Sequence, residues 1–280
     1  MREIHVNEIT EAVKNLCIES NIYLGDDVKS AICNAQKCET SKTAKEILSK
    51  LKDNIDIAET KEIPVCQDTG MAVIFARIGQ DVHITGGLIE DAINEGVRQG
   101  YCEGFLRKSV VDDPILRKNT GDNTPAVIHY EIVSGENIEL TIAPKGFGSE
   151  NMGALKMLKP SDGLEGIKQF VIDTVKSAGA NPCPPVVVGV GIGGTMEKCT
   201  LLAKKALTID LDKENENPMY ANLEKELLEE INKTNIGVQG FGGKNTALAV
   251  KILSYPTHIA GLPCAVNINC HVVRHKTKIL

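Results

Sequence analysis

Nine cysteines are spread along this chain, at positions 17, 33, 38, 66, 102, 183, 199, 264 and 270, and no two of them form a C-x-x-C pair. The count is odd, the chain is 280 residues long, and no apolar signal core follows Met1-Arg-Glu-Ile-His5. That combination predicts reduced thiols in the cytosol rather than a disulfide framework. The fold must then stand on its apolar core alone. Tryptophan is absent and aromatics make up 4% of the residues, so that core has to be aliphatic. A hydrophobic content of 42% with 24% charged residues excludes disorder as the main state. No apolar run approaches the length of a membrane span. A net charge of −6 without any Lys/Arg block argues against a nucleic-acid footprint.

Apolar spacing makes the first part of the chain helical. Ile9, Val13, Leu16 and Cys17 recur on one helical face. Asp26 is the cap expected for a second helix carrying Val28, Ile32 and Ala35, and Ser41 or Thr43 for a third carrying Ala44, Ile47, Leu48 and Leu51. After Ile63 the texture changes. Residues 71–78 read as a strand, 88–101 as a helix, and 126–133 with 138–143 as a hairpin across Ser134-Gly-Glu-Asn137. Further helices are expected over 166–178, 196–207 and 218–231, and strands over 186–190, 246–253 and 264–268. The whole reads as one domain of mixed α/β (α+β) class. A helical N-terminal lobe (residues 1–60) precedes a mixed α/β body (61–280) that carries the candidate ligands.

Two glycine-rich segments invite a phosphate reading. Gly189, Gly191 and Gly194 have G-x-G-x-x-G spacing after a strand-like run, and Asp210 closes a candidate second strand, Ala206-Leu-Thr-Ile-Asp210. That is the pattern of a dinucleotide site, and it supports an NAD-dependent oxidoreductase as a competing function. The bland alternative is a strand-to-helix turn that needs small residues for packing. Gly240-Phe-Gly-Gly-Lys-Asn245 fails as a Walker A loop, since Val238 stands at the first glycine position and Asn245 replaces the hydroxyl residue. Lys145-Gly-Phe-Gly-Ser149 has the form of an anion nest.

Three cysteines differ from the others in context. Cys66 lies in Pro64-Val-Cys-Gln-Asp-Thr-Gly70, Cys183 in Asn181-Pro-Cys-Pro-Pro185, and Cys270 in Asn269-Cys-His271. Proline and glycine make rigid turns, and a thiolate at the tip of such a turn suits a metal ligand. Cys17 and Cys33 fall on helix faces and read as core. Buried small hydrophobe, metal ligand and nucleophile all remain open for any single thiol, because spacing alone does not bring distant cysteines together.

Those segments, together with Leu106-Arg-Lys-Ser109, Asn119-Thr-Gly-Asp-Asn-Thr-Pro125, Lys145-Gly-Phe-Gly-Ser-Glu-Asn151 and Val190-Gly-Ile-Gly-Gly-Thr195, occur in one order over nearly the whole chain. In this the sequence resembles the class I iron–sulfur fumarases and L(+)-tartrate dehydratases, specifically the α subunit of their two-subunit form. The resemblance implies a four-iron, four-sulfur (4Fe–4S) cluster held by Cys66, Cys183 and Cys270, with one iron left open as a Lewis acid. It implies that Gln67 and Asp68 contact substrate, with Asp68 helping hydroxide leave, although Asp68 would equally serve as a turn cap for Gly70. It implies that Arg107 binds a substrate carboxylate, its alternative being a solvated charge beside Lys108. Gly146 and Gly148 would offer backbone N–H to a second carboxylate, and His258 would reach a site in a neighbouring protomer. The proton-abstracting base, a threonine in the family, belongs to the other half of the enzyme. The chain is therefore expected to be inactive alone and to work with a β subunit, in a heteromer with paired α chains. The expected reaction is reversible dehydration of (S)-malate to fumarate, with L(+)-tartrate dehydration as the alternative. An iron–sulfur sensor without catalysis is a third class, and it lacks a basic DNA-binding face here.

Overall fold

The aliphatic stripes of the first sixty residues do form helices. The computed structural model describes residues 2–280. In chain order the elements are β1 (Arg2–His5), α1 (Val6–Ile22), α2 (Asp26–Cys38), α3 (Lys42–Lys61), β2 (Met71–Gly79), β3 (Val82–Thr85), α4 (Ile89–Glu103), β4 (Val127–Val133), β5 (Ile138–Lys145), α5 (Phe147–Glu150), β6 (Ala154–Leu158), α6 (Gly163–Ala178), β7 (Val186–Gly193), α7 (Met196–Ala206), α8 (Pro218–Asn232), β8 (Ala247–Tyr255), β9 (Leu262–Asn269) and β10 (Lys276–Ile279). Ile9, Val13, Leu16 and Cys17 are buried along α1. Its start is fixed reciprocally, Asn7 N donating to His5 Nδ1 at 3.2 Å and His5 N donating to Glu8 Oε1 at 3.1 Å. Ser41 caps α3 by accepting from Ala44 N at 3.4 Å. Among the described residues no helix is long and apolar enough to cross a membrane.

Two compact units share the chain, and each is assembled from separated segments. One comprises Met1–Leu24, Ile55–Phe147 and Arg274–Leu280, the other Gly25–Asn54 and Gly148–Val273. The first sixty residues thus contribute to both.

The first unit is a four-stranded sheet of order β10-β5-β2-β4 with α1 and α4 against one face. Alternate residues of its two central strands, Ala72, Ile74 and Ala76 of β2 and Ile138, Leu140 and Ile142 of β5, enter one core with Val13, Ile93, Val97 and Tyr101. The expected hairpin of 126–133 with 138–143 is not formed. β4 pairs with β2 in parallel and β5 pairs with β2 antiparallel, so β2 lies between them. The short connection crosses the end of β2, where Gly79 N donates to Asn137 O at 2.8 Å and Asp81 N to Gly135 O at 3.0 Å. A Cβ on Gly79 would sit 2.4 Å from Gly135 O, so this crossing requires glycine. The most buried strand has taken the centre of the sheet, which sequence-adjacent pairing would have left to a neighbour.

The second unit is also a four-stranded sheet, of order β6-β9-β7-β8, with β7 parallel to β8 and antiparallel to β9. Val186, Val188, Val190 and Ile192 of β7 meet Val171 and Val175 of α6 and Leu223, Leu227 and Ile231 of α8. The opposite face of β7 carries Gly189 and Gly191, two residues apart and therefore pointing the same way. There α7 lies directly on the strand. A Cβ on Gly189 would stand 2.2 Å from Ala203 O, and one on Gly191 2.0 Å from Cys199 O. These glycines admit a helix backbone, not a pyrophosphate. The candidate second strand of the dinucleotide reading is also absent. Residues 206–210 are the end of α7 and a turn, with Thr208 N on Lys205 O at 3.0 Å and Ile209 N on Ala206 O at 3.3 Å. Both features that suggested NAD are accounted for by packing.

Replacing Gly191 with Ala should therefore force α7 away from β7. We expect Gly191→Ala to destabilise the chain by about 1–3 kcal/mol in urea unfolding, the range for overpacking a close-packed interior. An unchanged midpoint would overturn this account of the glycine spacing.

Candidate functional site

The loop that carries Cys66, Gln67 and Asp68 follows α3 and precedes β2, and it is tied down from several directions within the first unit. Val65 N donates to Asn21 O at 2.9 Å. The Tyr101 hydroxyl, on α4, lies 2.9 Å from Thr69 O and 3.0 Å from Gly70 O. Burial pushes the Tyr101 phenol up, so it stays protonated and able to donate. Asn123 Nδ2 donates to Gly70 O at 3.2 Å, while its Oδ1 accepts from Ser109 N at 2.7 Å and Val110 N at 3.2 Å. Gly70 has φ +74°, and a Cβ there would meet Lys145 backbone atoms at 2.7 Å, so the final glycine of the Cys-Gln-Asp-Thr-Gly segment is required sterically.

Arg274 completes the clamp. Its side chain is 3% exposed, and Nη1 donates to Asn21 Oδ1 at 2.9 Å and to Asp68 O at 2.7 Å. Nε has no partner among the described residues. Both hydrogen-bond acceptors are neutral, and the carboxylate beside the guanidinium is that of Asp68, since a Cβ on Gly146 would stand 3.1 Å from Asp68 Oδ2 and 3.5 Å from Arg274 Nη2.

Asp68 sits half-buried with both carboxylate oxygens engaged. Oδ1 accepts from Gly70 N at 3.0 Å and Oδ2 from Phe147 N at 3.0 Å. The turn-capping role expected of Asp68 is thus realised, and the anion nest at 145–149 already holds an anion, the Asp68 carboxylate itself. Gly146 lies alongside, where a Cβ would be 3.1 Å from Asp68 Oδ2. Gln67 is exposed with its amide unengaged among the described residues. Arg107 is exposed and makes no ion pair among them, while its carbonyl accepts from Thr69 Oγ1 at 3.1 Å. The first unit therefore brings Cys66, Gln67, Asp68, Arg107 and Gly146 onto one braced loop system.

The second unit gathers the other two cysteines. Cys183 precedes β7 and Cys270 follows β9, and the pairing of Val187 with Asn269 puts both at the same end of the sheet. Cys183 is exposed and holds φ +54°, a left-handed conformation uncommon for a residue with a side chain. Its carbonyl lies 3.0 Å from His271 Nδ1 and 3.5 Å from His271 N. Gln239, itself at φ +52°, donates from both N and Nε2 to Pro184 O at 2.7 Å, and its Nε2 lies 3.2 Å from His271 Nδ1. The Cys270 thiol is half-buried, 3.7 Å from Val272 O. Gly148, at the start of this unit, is exposed, 3.6 Å separating its would-be Cβ from Asn181 O.

His258 is elsewhere. It lies in the connection between β8 and β9, at the opposite end of the sheet, because Gly193 pairs with Tyr255 and Ile192 with Cys264. The eight residues of β7 separate it from Cys183, roughly 25 Å at strand rise. Its ring caps its own turn, Nδ1 accepting from Ala260 N at 3.2 Å.

None of the nine cysteines is in a disulfide. Cys17, Cys199 and Cys264 are buried, and burial pushes the Cys17 and Cys199 thiols up and the Cys264 thiol up to about 12. They are core residues held as neutral thiols. Among the described residues no three His, Cys, Asp or Glu side chains close around a point as ligands of a single ion would.

Sequence reasoning missed the residues that brace these loops. Asn123 and His271 sit inside segments singled out for other members. Gln239 lies in the glycine-rich stretch dismissed as a failed Walker loop. Asn21 and Tyr101 carry no local signal, being polar atoms on helix faces that otherwise read as core. Arg274 follows Cys270 by four residues, and nothing in its neighbours marks it.

The chain matches the fumarate hydratase (Fumerase) family over residues 10–278. It is 44% identical over 277 residues, 97% of either chain, to a protein of Methanocaldococcus jannaschii provisionally named L(+)-tartrate dehydratase subunit alpha. It is 32% identical over 278 residues to the L(+)-tartrate dehydratase subunit alpha of Escherichia coli K12, covering 98% of this chain and 91% of that one. The protein of the same name from Escherichia coli O157:H7 gives equal identity and coverage. With these motifs aligned along its length, the chain belongs to the fumarate hydratase (Fumerase) family and is a hydro-lyase.

Proposed function

We propose that this chain is the α subunit of a two-subunit hydro-lyase that dehydrates a small 2-hydroxy-dicarboxylate, with L(+)-tartrate as its substrate. The observation that carries the reading is the fixed Asp68 carboxylate in the loop of Cys66, tied through Thr69 to an exposed Arg107. The names of the relatives in Methanocaldococcus jannaschii and Escherichia coli support tartrate. The family name supports a second reading, (S)-malate to fumarate. The two substrates differ by one hydroxyl, and no residue of this chain is assigned to that difference.

The donor chemistry fits an iron–sulfur cluster. Thiolates are the soft ligands such clusters take, and Cys66, Cys183 and Cys270 are the cysteines in braced loops, unlike the buried Cys17, Cys199 and Cys264. The buried Arg274 guanidinium, bonded to Asp68 O and with Nε unpartnered among the described residues, favours anionic ligands near the Cys66 loop. Those three cysteines would hold the cluster, which when bound supplies a Lewis acid for loosening the substrate hydroxyl.

The chain's own groups do the rest. Arg107 takes one substrate carboxylate in its planar fork. Gln67 donates its amide to the same molecule, and backbone N–H groups of Gly146 and Gly148, beside the Phe147 N–H that already holds Asp68, are assigned to the second carboxylate. Asp68, its orientation set by the Gly70 and Phe147 N–H groups, is the group assigned to helping the departing hydroxyl leave. The base that removes the proton from the neighbouring carbon comes from the β subunit, so the α chain holds an incomplete site.

Steady-state kinetics with the β subunit test the substrate. We expect turnover only with both subunits and a higher kcat/KM for L(+)-tartrate than for (S)-malate. Preference for malate reverses the choice, and robust turnover by the α chain alone sinks the incomplete-site reading.

Anaerobic reconstitution with iron and sulfide tests the ligands independently of activity. Cys66→Ser, Cys183→Ser and Cys270→Ser should each lose the charge-transfer absorbance and bound iron, whereas Cys33→Ser and Cys38→Ser should keep both. For the fork, Arg107→Lys should raise KM and lower kcat/KM by about 10- to 100-fold, about 1.4–2.7 kcal/mol of transition-state binding, with Tm unchanged because the side chain is exposed.

A further inference from the structure

The glycine-rich stretch that fails as a Walker loop does close on an anion, and the anion belongs to the chain. Glu39, the residue that follows α2 in the second unit, is 1% exposed. Its Oε1 accepts from Thr40 N at 2.7 Å and Ser41 N at 3.0 Å. Its Oε2 accepts from Lys244 N at 2.9 Å and from Asn245 Nδ2 at 2.7 Å. Burial opposes ionisation, yet these N–H donors outweigh it and hold the Glu39 carboxyl below the usual carboxylate range. Gly243 makes the approach possible. It has φ +111°, and a Cβ there would stand 2.8 Å from Glu39 Oε2.

From that anchor the loop folds back on itself and onto the turn of Cys183. Gly237 bridges Gly242, Gly242 N donates to Ile236 O at 2.9 Å, and Gly243 N donates to Asn235 Oδ1 at 3.0 Å. Gly240 packs on the residues before Cys183, its would-be Cβ 2.4 Å from Ala180 Cβ. Every backbone N–H from residue 239 to residue 244 has a partner, so none is left to cradle a phosphate. What the loop delivers is Gln239, whose N and Nε2 both hold Pro184 O. One end of the loop is thus fastened to a buried carboxylate, and the other grips the peptide that follows Cys183.

We infer that Glu39 is a positioning residue for Cys183: its carboxylate sets the loop, the loop sets Gln239, and Gln239 sets the turn that presents the thiol. This rests on the function proposed above, in which Cys183 holds the cluster. Supports one step removed from a metal ligand orient it and govern how long the metal is kept.

Hydrogen exchange and iron release on the full chain test the inference, both well below Tm. The Gln239 N–H should be protected in the unaltered protein and exchange about 10-fold faster in Glu39→Gln, which puts an amide N–H group among N–H donors. Asn245→Ser removes a single donor to Glu39, should act in the same direction, and carries the same test if Glu39→Gln fails to fold. After anaerobic reconstitution, Glu39→Gln and Gln239→Ala should each release iron to a chelator about 10-fold faster, the low end for such supports. The double variant should also be about 10-fold faster, because both changes remove one support. Independent effects multiplying to about 100-fold would overturn the inference. So would a lowered Tm in Glu39→Gln with iron release unchanged, the result of a merely structural role. An unaltered chain that takes up no iron overturns the proposed function, on which this inference rests, whereas unchanged exchange at Gln239 in a chain that binds iron overturns this inference alone.

Discussion

A buried guanidinium holds the loop on which the proposed chemistry rests. Arg274 is inserted between the side chain of Asn21 and the carbonyl of Asp68, both neutral. Burying a charge on neutral partners costs several kcal/mol of hydration that hydrogen bonds only partly return. Replacing such a residue with an apolar one of similar volume is often neutral or stabilising. In the proposed function the surroundings are anionic, which changes that balance. A thiolate-bound cluster and a dicarboxylate substrate both bring negative charge, and a fixed cation lowers the energy of that state relative to the empty one. The same contact fixes the backbone between Cys66 and Asp68, so electrostatics and geometry are delivered by one side chain.

Much of the fold was legible because the core is aliphatic and periodic. The stripe Ile9, Val13, Leu16, Cys17 forms α1, and the unbroken apolar run at 186–190 forms a strand buried on both faces. What misled was inference about neighbours. Residues 126–133 and 138–143 are strands, as their composition requires, but pairing is decided by which strand needs the centre of the sheet, and β2 takes that place. The spacing of Gly189 and Gly191 likewise has two physical causes with one signature. A ligand's pyrophosphate and a crossing helix both demand missing Cβ atoms at alternate strand positions. Only the position of α7 separates them.

The candidate site was legible where proline and glycine mark rigid turns, which is why the loops of Cys66, Cys183 and Cys270 stood out from the other cysteine positions. The bracing residues were not. Asn21, Tyr101, Asn123, Gln239 and Arg274 act through partners distant in sequence, and a polar side chain on a buried helix face carries no local record of its partner. His258 shows the converse. Its residue type and resemblance suggested a site residue, yet the strand register sets it at the end of the sheet away from Cys183 and Cys270. Within one chain it serves its own turn, and a role in substrate contact requires another protomer.

Strain in the site loops gives these braces a physical purpose. Cys183, Gln239 and Asn123 hold φ of +54°, +52° and +66°, conformations that cost of order 1–3 kcal/mol each for residues with side chains. Each is over-determined by hydrogen bonds: Gln239 to Pro184, His271 against the Cys183 carbonyl, Asn123 to Ser109, Val110 and Gly70. The strain is therefore met during folding and not at the moment of binding. Loops already fixed in an unfavourable conformation lose little further freedom when a ligand arrives, so under the proposed function more of any bonding energy to a ligand would appear as retention. Relaxed loops would gain stability in the empty chain and give up that advantage. Under the proposed function, the rigid turns written as Pro-Cys-Pro-Pro and Cys-Gln-Asp-Thr-Gly would be organised in advance for a charged guest.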